Sequence, residues 1–156
     1  MGALHCIVNP ASRDYTCGKR WPSIAAKLES KGLEVVTHMT SSVGNASEIA
    51  WELRQQNVEG PIVAVGGDGT VHEVASALRG SDIPIGIIPL GSGNDYAITQ
   101  GISRKDVNQA IDVVINGIDR RCAAWRLEGF PASATGDYPA PKPNHWDGEA
   151  TQDGKV

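Results

Sequence analysis

Pro61-Ile62-Val63-Ala64-Val65-Gly66-Gly67-Asp68-Gly69-Thr70 decides how this chain is read. Ile62 to Val65 is a short, unbroken apolar run, the signature of a strand buried on both faces. It stops at Gly66-Gly67-Asp68-Gly69-Thr70, a turn tight enough to call for glycine. Beyond it, Val71, Val74, Ala75 and Leu78 recur at the i, i+3, i+4, i+7 spacing of one helical face. The order is strand, glycine loop, helix. The N–H groups that open such a helix, beside the positive end of its dipole, make a ready anion site. Asp68 in the middle of an anion site makes chemical sense if Mg2+ lies between carboxylate and phosphate, or if Asp68 takes a proton from an attacking hydroxyl. Read alone, the stretch is equally a plain tight turn, with Thr70-x-x-Glu73 as a capping box.

A second stretch shifts that balance. Ile85-Gly86-Ile87-Ile88 is another short apolar run, and it breaks into Pro89-Leu90-Gly91-Ser92-Gly93-Asn94-Asp95 ahead of a further helix. Two glycine loops at the C-terminal ends of buried strands share one edge of a parallel sheet, where open α/β sheets bind their ligands.

These residues, with Val71-His72-Glu73-Val74 between them and Asn9-Pro10-x-Ser12 near the start, resemble the catalytic domain of diacylglycerol kinases and their relatives. Those relatives include bacterial lipid kinases, sphingosine kinases and ceramide kinases. The resemblance covers about Leu4 to Gly117. It implies an ATP-dependent lipid kinase that moves the γ-phosphoryl group to a lipid hydroxyl, with ATP and Mg2+ required. Asp68 is then the catalytic residue, as base or as partner of the metal. Asn9, Ser12, Thr40, Gly66, Gly67, Gly69, Thr70 and Glu73 are the nucleotide-side residues. Gly91, Ser92, Gly93, Asn94 and Asp95 form the substrate or phosphate loop. On their own, Asn9 and Ser12 are ordinary turn residues, and Thr40 is a loop threonine. Glu73 is open to a capping role, to Mg2+ or to substrate. The chain departs from the family after Ser12, where relatives usually carry glycines and this sequence has Arg13-Asp14-Tyr15-Thr16 before Gly18.

The rest of the chain supports an α/β fold: an open, mostly parallel sheet with helices on both faces, followed by an irregular tail. Leu4 to Val8 and Leu33 to His38 read as strands. Trp21, Ile24 and Leu28 mark a first helix with Pro22 in its opening turn and Lys31-Gly32 at its end. Asn45-x-x-Glu48 caps a second helix with Ala46, Ile49, Ala50 and Leu53 on its inner face. Ser103 to Asn116 reads as the last helix, with Val107, Ala110, Ile111 and Val114 on one side. The expected domains are 1–121, α/β and nucleotide-binding, and 122–156, an irregular tail. Arg120-Arg121-Cys122-Ala123 starts like the family's crossing strand. From Trp125 onward Pro131, Pro139, Pro141 and Pro143 break any regular element. The family's second, β-rich domain is not legible there, as in a truncated or frame-shifted coding sequence.

The 156 residues suit a single domain. A net charge of -4 offers no basic footprint for general nucleic-acid binding. The three cysteines are scattered and make no metal pattern or disulfide framework, which fits a reducing cytoplasm. No long apolar span is present, so a protein acting on lipid would visit the membrane surface as a peripheral partner. The face left by a missing domain would be open to self-association into an oligomer. Gly91-x-Gly93 is no dinucleotide fingerprint, because Tyr96 stands where the third glycine would be, and the Walker lysine motif is absent. Three alternatives stand beside the lipid kinase: an NAD-kinase-like enzyme or phosphofructokinase relative sharing the first glycine loop, a catalytically silent nucleotide-binding fragment, and a non-enzymatic interaction domain whose glycine loops serve only as turns.

Overall fold

Strands β1 (Leu4–Val8), β2 (Val35–Met39), β3 (Ile62–Gly66) and β4 (Ile85–Pro89) pair in parallel, in the order β2-β1-β3-β4. This computed structural model describes residues 2–122. Helices α1 (Thr16–Ser30), α2 (Asn45–Gln55), α3 (Asp68–Leu78), α4 (Asp95–Thr99) and α5 (Val107–Asn116) connect or follow the strands. Side-chain alternation in the strands explains the layering. Leu4, Cys6 and Val8 of β1, Val63 and Val65 of β3, and Ile88 of β4 pack with Cys17, Trp21, Ile24 and Leu28 of α1 and Ile111 of α5. The intervening Ile7, Ile62, Ala64 and Ile87 pack with Ala46, Ala50 and Leu53 of α2 and Val71, Val74 and Leu78 of α3. Every residue of β3 is buried, as its unbroken apolar run requires. The expected sheet with helices on both faces is present.

This layering creates the crevice. Adjacent strands β1 and β3 feed helices on opposite faces of the sheet, so the loops that leave them diverge. Ligands of doubly wound sheets bind at such a switch point, outside the carboxyl ends of the strands. Pairing of Val8 with Val65, Val8 with Met39 and Gly66 with Pro89 brings all of the strand ends level.

Several local expectations are corrected. Helix α1 starts at Thr16, so Pro22 lies inside it rather than in its opening turn. A proline there forgoes the bond to the carbonyl four residues back, that of Gly18. The α1 end is as expected: Gly32 takes φ 83 and donates its N–H to Glu29 O at 2.9 Å. The N-cap of α2 is Gly44, not Asn45, whose Oδ1 accepts from Ser41 N at 3.1 Å. The second strand runs Val35–Met39, two residues later at its start than the sequence suggests. The last helix starts at Val107, capped by Asp106, which accepts from Asn108 N and Gln109 N. Ser103 precedes it and accepts from Lys105 N and Asp106 N through Oγ.

Residues Met1–Asp119 form one compact unit. Arg120, Arg121 and Cys122 are exposed and in neither helix nor strand. The crossing strand expected from Arg120 therefore does not begin among the described residues. Beyond Cys122, the expected irregular tail lies outside the described residues. Burial pushes the Cys6 thiol up to about 12 and the Cys17 thiol up to about 11, so both stay protonated as packing groups.

Candidate functional site

The turn after β3 is shorter than its glycine content suggests. Gly66 is the last residue of β3, Gly67 is the N-cap of α3, and Asp68 already lies in the helix. Gly66 serves close packing: its carbonyl accepts from Leu90 N at 2.8 Å, and a Cβ there would stand 2.5 Å from Thr70 Oγ1. The first helical bond of α3 runs from Val71 N to Gly67 O at 3.1 Å. The N–H groups of Gly69 and Thr70 precede it and have no intrahelical partner. Gly69 is exposed, and a Cβ there would meet nothing within 4 Å.

Around this helix start the other loops are tied in by hydrogen bonds. Asn9 Nδ2 donates to Thr70 Oγ1 at 3.3 Å, and Asn9 Oδ1 accepts from Ala11 N at 3.1 Å. Ser12 Oγ lies 3.6 Å from the place a Cβ on Gly67 would occupy. Glu73 clamps the loop after β2. Its Oε1 accepts from Gly44 N and its Oε2 from Ala46 N, each at 3.1 Å. The capping box read from Thr70 and Glu73 is therefore not formed, because Glu73 caps the neighbouring helix α2 and Thr70 is bonded to Asn9. Thr40 sits where that clamped loop leaves β2, with its N–H on Val8 O at 2.9 Å. Replacing Glu73 by Gln removes the charge and turns one acceptor into a donor facing an N–H. We expect about 1–2 kcal/mol of destabilisation, read as a lower melting temperature with faster hydrogen exchange at Gly44 and Ala46.

The two glycine loops meet backbone to backbone. A Cβ on Gly91 would overlap the Cα of Gly67. Asn94 closes the second loop on itself: Oδ1 accepts from Gly91 N at 2.9 Å and Nδ2 donates to Gly91 O at 2.8 Å. Asn94 is 4% exposed and adopts φ 61, a region that asparagine tolerates better than most residues. Ser92 is exposed at the tip.

Asp68 joins the loops electrostatically. Its Oδ1 accepts from Tyr96 N at 3.0 Å and its Oδ2 from Asp95 N at 3.1 Å, so it caps α4. The Tyr96 N–H holds the Asp68 carboxyl below the usual carboxylate range, against the opposing effect of partial burial. The N–H groups of Asp95, Asn94 and Asp68 itself add to the lowering. Asp68 Oδ2 and Asp95 Oδ2 lie 3.1 and 3.7 Å from the point where a Cβ on Gly93 would stand, so two carboxylates converge over that glycine. Magnesium is commonly held by one or two carboxylates together with substrate phosphates and water. The ionised Asp68 and the exposed Asp95 fit that donor set.

Residues 3–127 match the diacylglycerol kinase catalytic domain. The chain belongs to that family. It is 40% identical over 133 residues to a diacylglycerol kinase of Bacillus subtilis, covering 83% of this chain and 43% of that one. Against a diacylglycerol kinase of Mycobacterium tuberculosis, identity is 31% over 117 residues, 75% of this chain and 38% of the relative. The crystal structure of a diacylglycerol kinase from Bacillus anthracis superposes with a TM-score of 0.57 at 26% identity, over 72% of this chain and 41% of that chain. The chain thus spans less than half the length of these relatives.

Within this diacylglycerol kinase-type domain, the loop after β1 is the local departure. Arg13, Asp14 and Tyr15 take φ 51, 52 and 60, three successive non-glycine residues in the left-handed region. Each costs roughly 1–2 kcal/mol relative to the right-handed conformation. Thr16 N donates to Arg13 O at 3.0 Å and Cys17 N to Ser12 O at 3.2 Å, which closes the turn. The sequence marked this as a place where glycines are missing. The backbone keeps a conformation that glycine would adopt more readily. What the sequence did not reveal is the Asp68 clamp on α4 and the Asn94 clasp. Asparagine after Gly-x-Gly was the available signal for the second.

Proposed function

We propose that this chain carries the nucleotide-binding half of an ATP-dependent lipid kinase, which transfers the γ-phosphoryl group of Mg-ATP to the hydroxyl of a lipid such as a diacylglycerol. The observation that carries this reading is the start of α3. Open N–H groups at a helix N-terminus face the switch-point crevice beside two converging carboxylates, a combination suited to phosphate with a divalent cation between.

In this reading Gly67, Gly69 and Thr70 present backbone N–H groups to phosphate oxygens, with Ser12 and Thr40 as side-chain partners. Gly66, Asn9, Glu73 and Asn94 hold the loops in register, since their polar groups are engaged within the protein. Asp68 and Asp95 hold Mg2+, which when bound with the nucleotide supplies neutralisation of phosphoryl charge. Asp68, ionised at neutral pH, would also orient the attacking hydroxyl and accept its proton. The hydroxyl oxygen forms the new bond to Pγ, the Pγ–O bond to ADP breaks, and the hydroxyl proton passes to the Asp68 carboxylate late in the step, as a loose transition state allows. No helix of the described residues is long and apolar enough to cross a membrane.

Gly69→Ala tests this placement with little structural interference. The methyl has open space, and alanine is favoured over glycine inside a helix by about 1 kcal/mol. The variant should melt at the same temperature or higher, yet bind Mg-ATP at least tenfold more weakly by calorimetry, about 1.4 kcal/mol. Unchanged affinity in the folded variant would remove the phosphates from this helix start.

A further inference from the structure

Two half-buried histidines lie outside the crevice and take no part in the nucleotide reading. His5 is on β1, and His38 is on β2, an edge strand that pairs only with β1 among the described residues. The register sets Val36 beside His5 and His38 beside Ile7, so the two histidines are diagonal neighbours on one face of the sheet. It is the face on which Ile7 packs with α2.

His5 Nδ1 and His38 Nε2 are 3.2 Å apart. The ring centroids are 5.5 Å apart and the ring planes 19° from parallel. Both nitrogens therefore lie between the rings, edge to edge and pointing at each other. A neutral imidazole has one N–H and one lone pair, whereas an imidazolium has two N–H groups. One proton between the two nitrogens makes a hydrogen bond. A second sets donor against donor and charge against charge. The surroundings do little to offset this. Glu34, exposed immediately before β2, acts on His5 and favours its charged form. No strand of the sheet carries lysine, arginine, aspartate or glutamate. On α2, Glu48 and Glu52 are exposed, and Arg54 donates to the carbonyls of Ala77 and Arg79. Burial holds both histidines below the ordinary 6.5; Glu34 opposes it at His5, and His5 adds to it at His38.

We propose that the His5–His38 pair is a proton-sensitive latch: with one proton between the rings it holds edge strand β2 to β1, and a second proton releases it. A histidine that protonates less readily when folded adds stability above its unfolded value and loses it as the pH falls, so the latch is closed above 6.5 and weakens below. It bears on the rim of the crevice, because Met39 pairs with Val8 and Thr40 donates its N–H to Val8 O at 2.9 Å. It needs no nucleotide, and so stands or falls separately from the reading above.

The test is amide hydrogen exchange, followed by NMR from about pH 5 to about pH 8, on the wild-type chain, His5→Gln, His38→Gln and His72→Gln. The N–H of Leu4, on Glu34 O, and that of Thr40, on Val8 O, bracket the β1–β2 pairing. In the wild type their opening should rise with acidity below 6.5, approaching about tenfold per pH unit, the slope of one proton taken up on opening. The Leu90 N–H, held by Gly66 O between β3 and β4, should not share that slope. Glutamine donates to a neutral imidazole and accepts from a charged one, so His5→Gln and His38→Gln should lose most of it. His72, exposed on α3, is the control, and His72→Gln should keep the wild-type slope. The ring signals of the wild type need no variant: His5 and His38 should titrate one after the other, as coupled sites do. No slope in the wild type, the same slope in both paired variants, or a slope shared equally by Leu90 overturns the latch. So do two rings that titrate together at 6.5.

Discussion

Gly91→Ala should lower the melting temperature by on the order of 10 °C. The added Cβ would overlap Gly67 Cα, and would stand 2.8 Å from Asn94 Oδ1 and 3.0 Å from Gly67 N. Two of these are backbone atoms, which cannot swing aside as a long side chain would. Relief requires the two glycine loops to separate, breaking the Asn94 clasp and shifting Asp68 away from Asp95 and Tyr96. Overpacking of this kind costs about 3 kcal/mol. Thermal melts of the wild type and variant check it, and an unchanged melting temperature would mean that the two loops are not in contact. Gly69→Ala, two residues beyond Gly67 and facing open space, is the matched control.

Asp68→Asn should weaken Mg-ATP binding at least tenfold, abolish its dependence on Mg2+, and cost about 2 kcal/mol of stability. Asparagine offers one acceptor oxygen where aspartate offers two. Its amide nitrogen would face either Asp95 N or Tyr96 N, donor against donor. A carboxylate clamped across 27 and 28 residues is therefore structural as well as chemical. The pH dependence separates the two roles. A group with a depressed folded pKa contributes stability above its unfolded value, 3.8, and loses that contribution as the pH falls through the folded value. The stability gap between wild type and variant should be constant near neutrality and narrow in acid below about 3.8. A gap that is absent, with Mg2+ dependence intact, contradicts the assignment.

The core of the fold was legible because its signals are local. Ile62 to Val65 is apolar at every position, short, rich in β-branched residues and bounded by Pro61 and Gly66, which together mark a strand covered on both faces and so β3 and the parallel sheet around it. The same holds for the inner faces of α2, α3 and α5, whose spacing follows helical period. Helix starts were less legible. Trp21, Ile24 and Leu28 show which face of α1 is buried, but the first turn carries only Cys17 on that face, a small side chain followed by Gly18, Lys19 and Arg20, so Pro22 looked like a beginning. Thr70 and Glu73 have capping-box spacing, yet tertiary partners outcompeted it: Asn9 for the hydroxyl and the α2 N-terminus for the carboxylate. The glycine loops announced close approach without saying to what. That Gly67 and Gly91 face each other, and that Asp68 reaches the start of α4, depends on strand register between distant segments. Arg13 was visible as a departure from the family, while its left-handed backbone was not.

Backbone amide NMR of the wild-type chain titrated with Mg-ATP tests the central claim most directly. If the start of α3 cradles phosphate, the amide signals of Gly67, Asp68, Gly69 and Thr70 should move first and furthest, in a saturable way that requires Mg2+. Those of the opposite sheet edge, such as Gly80 and Asp82, should stay in place. Shifts confined to that opposite edge, or none at all in a folded sample, would contradict the assignment of this crevice to a nucleotide.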